Sequence, residues 1–109
     1  MASKELAVLL LCTTPTTTEA RRIGRDLVKH RLAACVSLVP KVQSYFRWGG
    51  RVDQAKETLL FIKTTRQKSK AAISFVRKRH SYSVPELIAL NITAGDAPYI
   101  KWLKESCRG

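Results

Sequence analysis

The sequence predicts a single α+β domain: a four-stranded antiparallel sheet, two helices across one face, and a short third helix at the end. Three observations predict it. The apolar run Leu6-Ala7-Val8-Leu9-Leu10-Leu11-Cys12 has strand length and ends in Thr13-Thr14-Pro15. Two long segments rich in β-formers flank Trp48-Gly49-Gly50-Arg51, a hairpin turn signal. Segments with helical spacing follow the first and third strands, so the order reads β-α-β-β-α-β-α.

Each element has a local cause. Residues 6–12 are unbroken in hydrophobicity, which suits a central strand buried on both faces. Lys4 before this run gives a superficial likeness to a signal peptide. Glu5 interrupts the basic flank and no small-residue cleavage site precedes Cys12, so the strand reading is preferred. Thr16, Thr17 and Thr18 are candidate N-caps for a helix over residues 19–31. Its apolar side is Ala20, Ile23, Leu27 and Val28, and its polar side Arg21, Arg22, Arg25 and Lys29.

Residues 36–47 form the second strand, with Pro40 demanding a bulge or bend. Residues 52–65 return as the third, centred on Leu59, Leu60, Phe61 and Ile62. A hairpin this long must pack on something further, such as another subunit. Residues 66–80 are helical, with Ala71, Ala72, Phe75 and Val76 inward and cations at the C-terminal end, where the dipole favours them. Residues 84–93 hold the fourth strand. Ala94-Gly95-Asp96-Ala97-Pro98 is a turn into a last helix over residues 97–106. The sheet face without the two main helices predicts self-association.

The 109 residues are 45% hydrophobic and form one domain, residues 1–109. Twenty Lys and Arg against eight Asp and Glu give a net charge of +12. Such a balance points to anionic partners and away from a carboxylate-rich site. Cys12, Cys35 and Cys107 are odd in number and include no CxxC pair, which suits free thiols in a reducing compartment. No run is long enough to span a bilayer, and no membrane partner is expected. The basic stretch 63–79 lacks aromatic interleaving or a nucleic-acid-binding signature, so nucleic acid is not expected despite the charge. No GxSxG, HExxH or P-loop is present, and a non-enzymatic protein is expected.

Six pieces in register resemble the CutA divalent-ion tolerance family. They are Leu11-Cys12-Thr13-Thr14-Pro15, Leu32-Ala33-Ala34-Cys35-Val36, the hairpin tip from Ser44 to Val52, Glu57 with Ile62-Lys63-Thr64-Thr65, His80-x-Tyr82-x-x-Pro85-Glu86, and Tyr99-Ile100-Lys101-Trp102-Leu103. The resemblance implies a ferredoxin-like fold, a compact homotrimer with strands pairing across subunits, a cytoplasmic location in bacteria, and divalent-metal binding linked to copper tolerance. The architecture also resembles the PII signalling proteins. That gives the alternative reading: a trimeric signalling or adaptor module holding a small anion or a protein partner between subunits.

Carried over from the family pattern, Cys12, His80 and Glu86 are the candidate ligands for copper or another weakly bound divalent cation, thiolate and imidazole suiting copper. The competing roles are a small core residue for Cys12 and a helix-C-terminal cation for His80. Lys63, Tyr82 and Glu86 form a candidate intersubunit ligand cluster or a structural ion pair. Tyr45, Trp48 and Trp102 are expected in trimer packing. Ser81 stands where the family usually has proline, which should loosen the turn, and Arg79 beside His80 should weaken cation binding. Cys35 is expected in the core, His30 in solvent, and Cys107 to be incidental.

Overall fold

The computed structural model describes residues 5–109; Lys4, flanking the first apolar run, lies outside them. The elements are β1 (Ala7–Thr14), α1 (Thr17–Lys29), β2 (Cys35–Trp48), β3 (Arg51–Thr65), α2 (Arg66–Arg79), β4 (Leu87–Asn91) and α3 (Ala97–Ser106). They build one sheet in the order β2-β3-β1-β4, every neighbouring pair antiparallel. This is the split βαβ, ferredoxin-like arrangement.

Alternation along β1 divides its side chains between two faces. Val8, Leu10 and Cys12 point into the main core, where they meet Ile23 and Leu27 of α1, Ala72 and Val76 of α2, and Leu60 and Ile62 of β3. Leu9 and Leu11 turn to the opposite face and are only half-buried. The expectation of a strand buried on both faces therefore holds for one face within a single chain. On the other, Phe61, Leu11 and Ile88 stand opposite one another across three strands, and Ile88 and Leu90 remain exposed.

α1 begins where expected among the threonines. Thr16 is extended and its hydroxyl accepts the Glu19 N–H at 3.1 Å. Gly24 lets the helix lie close on β2, since a Cβ there would come within 3.1 Å of Val36 Cγ1. In the hairpin, pairing shifts between Val39 and Val42, at Pro40 and Lys41, and Lys41 has φ 62°. The bend expected from Pro40 is thus a bulge. Gly49 (φ 59°) and Gly50 (φ 80°) close the tip, a turn with positive φ at both central residues.

Three details depart from expectation. β4 is five residues long, not ten. Pro85 has no N–H for the ladder, and β1 begins only at Ala7, opposite which Ile92 N–H still bonds, so pairing runs out at both ends. Ala71 faces solvent while its neighbour Ala72 is buried. Cys107 is not incidental: it is buried with Ala7, Ala34 and Leu103, where α3 packs against the end of the sheet.

Leu10 is fully buried at the centre of the core. Leu10→Ala is expected to cost about 2–5 kcal/mol of stability, read from the urea midpoint at constant m-value.

Candidate functional site

The connection from α2 to β4 packs against the end of β1. His80 closes α2, its N–H bonding Val76 O, and its ring is buried. Ring Nε2 lies 2.7 Å from Thr13 O, and ring Nδ1 lies 3.0 Å from Tyr82 N. A backbone N–H can only donate, so Nδ1 is the acceptor and Nε2 carries the proton given to Thr13. Glu19 Oε2 approaches Nδ1 at 3.5 Å, but with Nδ1 already accepting, this is proximity and not an ion pair.

The Glu19 carboxylate has other work. Oε2 accepts Ser81 N–H at 2.9 Å, and Oε1 accepts the Ser81 hydroxyl at 2.7 Å. Ser81 therefore does not loosen the turn: it ties it to α1 through two donors, neither of which a proline possesses. Tyr82 then reaches across to β3, its phenol donating to Glu57 Oε2 at 2.8 Å. Burial, reinforced by that bond to Glu57, pushes the Tyr82 phenol up to about 12.

Between this corner and the tip of the β2–β3 hairpin lies a groove of about 880 Å³. Tyr45, Trp48, Asp53, Glu57, Tyr82 and Glu86 line it. Cys12 lies beneath, fully buried, its thiol 3.6 Å from the same Thr13 oxygen that His80 engages. Burial above all, then the negative charges of Glu86, Glu19 and Glu57, pushes the thiol up from 9.0 to about 12.

The chain is closely similar to known proteins over most of its length. The family model described as "CutA1 divalent ion tolerance protein" matches residues 8–106. The chain belongs to the CutA1 family. It is 37% identical to the divalent-cation tolerance protein CutA of Pectobacterium atrosepticum, covering 94% of this chain and 93% of that one. It is 43% identical to the CutA homolog of Xenopus laevis over 84% of this chain, but spans only 60% of that longer protein. The crystal structure of CutA1 from Oryza sativa superimposes with a TM-score of 0.92 at 36% identity, covering 97% of this chain and 98% of that one.

In this CutA1 member, Cys12 and His80 converge on one carbonyl, with Tyr82 and Glu57 adjoining and Glu86 on the groove wall. Lys63 is not brought to them within the chain. It stands three residues beyond Leu60, the partner of Cys12, and its Nζ lies 2.8 Å from Ser37 Oγ and 3.8 Å from Cys35 Sγ. Cys35 is correspondingly half-buried at this polar cluster and not a core residue. His30 is exposed beside Phe75. Tyr45 and Trp48 are 70% and 65% exposed at the hairpin tip, and Trp102, beside Tyr99 on its own helix, is 44% exposed.

Sequence reasoning quoted Thr13, Glu57 and Ser81 but gave none of them a part in holding the corner together, and it did not place Glu19 or Asp53 there at all. The available signal was Glu57: a carboxylate just before the apolar centre of a strand, which must find a donor if it is buried.

Two outcomes are expected. In a double-mutant cycle of Glu19→Ala and Ser81→Ala, the interaction energy should be about 1–3 kcal/mol in chemical denaturation. The Cys12 thiol should resist maleimide at pH 8 until the protein is unfolded. Its value is raised in the fold, so its contribution to stability is complete below pH 9.0 and is lost as pH rises towards about 12. Cys12→Ala should flatten that alkaline decline in Tm.

Proposed function

We propose that the chain acts in divalent-cation tolerance as a homotrimer, holding a cation weakly in the groove between the hairpin tip and the His80–Glu86 corner. The observation that carries this reading is the gathering of Asp53, Glu57 and Glu86 on that groove in a member of the CutA1 family. Among the described residues, no group of three His, Cys, Asp or Glu side chains is placed to hold a metal within one chain. The remaining donors would come from a neighbouring subunit, which is why assembly is part of the proposal. The exposed Ile88 and Leu90 and the uncovered hairpin tip supply apolar surface for it.

The soft pair fits a metal poorly as it stands. His80 spends both ring nitrogens on backbone partners, and Cys12 is a buried, strongly protonated thiol. A cation using them would first have to displace those bonds. Carboxylate oxygens suit hard divalent ions better than copper in its reduced form. The high positive charge of the chain opposes tight capture of any cation. The three free cysteines suit a reducing compartment, and we place the protein in the cytoplasm. The role is binding, without a catalytic step.

Calorimetric titration with Cu²⁺, Zn²⁺ and Mn²⁺ tests the site. Glu57→Gln and Glu86→Gln should each weaken binding about tenfold or more, while Cys12→Ala leaves it within about twofold. Copper binding lost in Cys12→Ala and retained in both carboxylate variants would return the site to the soft pair. Light scattering should give three times the 12.3 kDa chain mass; a monomer would end the shared-site reading.

A further inference from the structure

A second groove lies apart from the candidate cation site, between α1 and β2, and encloses about 930 Å³. One wall is cationic. Arg21, Arg25 and Lys29 recur at four-residue intervals along α1, with Arg22 beside them, and all four are exposed. Like charges at this spacing on a helix repel and destabilise it. Asp26 is the carboxylate among them on α1, four residues after Arg22 and three before Lys29, but among the described residues none of the four cations is within ion-pair distance of an acidic side chain. The opposite wall is aliphatic, made by Val36 and Leu38 of the edge strand β2. Val28 of α1 joins it and is left 41% exposed. Gly24 has no side chain to fill the space above Val36.

We propose that this groove docks an extended acidic segment of another protein, in which carboxylates alternate with aliphatic side chains. Successive cations on the α1 wall are about 6 Å apart, four residues at 1.5 Å each. Alternate residues of an extended chain are about 6.6–6.8 Å apart and point to the same side. One row of carboxylates therefore falls in step with Arg21, Arg25 and Lys29, and guanidinium groups pair with carboxylates through two parallel hydrogen bonds. The intervening side chains turn towards Val36 and Leu38. A single-stranded nucleic acid fits less well, because no aromatic ring lines the groove for its bases to stack on.

The test is fluorescence anisotropy on the assembled full-length protein. The probes are a labelled twelve-residue peptide alternating Glu and Leu, the same peptide with Ser for Leu, and a single-stranded RNA of twelve nucleotides. The Glu–Leu peptide should bind, and the Glu–Ser peptide should bind about tenfold more weakly or worse, having lost its aliphatic contacts. Arg21→Glu with Arg25→Glu should weaken the Glu–Leu peptide about tenfold or more, while Lys70→Glu with Arg77→Glu, the same charge change on α2, should alter it less than about twofold. Circular dichroism confirms that both variants are folded. Equal weakening by the two pairs would reduce the effect to diffuse charge and overturn the proposal. So would equal binding of the two peptides, no binding of either, or tighter binding of the RNA through Arg21 and Arg25.

Discussion

The buried carboxylate of Glu19 is the interaction on which the site's geometry depends. It lies in the first turn of α1, where the helix dipole favours negative charge, and it is almost wholly withdrawn from solvent. A buried charge is tolerated only when its hydrogen bonds are met, and Ser81 meets them twice. That pairing anchors the exit of α2 to the entry of α1. It holds His80 over Thr13 and leaves Tyr82 aimed at Glu57. Remove the carboxylate, and the corner loses both of its bonds to α1.

Charge is segregated around this anchor. Of the eight acidic residues in the chain, Glu19, Asp53, Glu57 and Glu86 gather at the corner and its groove, where three of them reinforce the protonation of Cys12. α2 carries six cations between Arg66 and Arg79 and no acid at all. A strongly basic protein thus keeps a recess where carboxylates outnumber the one cation on its wall, Arg47, which its net charge alone would not suggest. The two grooves consequently differ in sign as well as in place.

The fold was legible because its signals are local and periodic. The strand at the first apolar run, the two-glycine tip, the bulge at Pro40 and the amphipathic first helix each follow from neighbouring residues. The corner was located correctly for the same reason, by a proline and a change of period. Its internal logic was not legible. Ser81 reads as a loosened turn until Glu19, sixty-two positions away, supplies the acceptor. Cys107 reads as a terminal residue until α3 folds back onto Ala7 and Ala34. Lys63 bonds Ser37 within the chain, through the register of β3 on β2, which its place near a strand end does not reveal. Each of these depends on pairing between distant segments, which spacing does not encode.

The hairpin beyond the bulge has a consequence for how the chain becomes ordered. The molecule is 51 Å long and 25 Å by 21 Å across, so this arm reaches well past the body of the domain. From Pro40 to Gln54, every side chain is exposed or only half-covered. Two strands paired only with each other are marginal in water. The arm's rigidity is therefore a property of whatever it touches, and its order should rise with protein concentration even where the body is already fully folded.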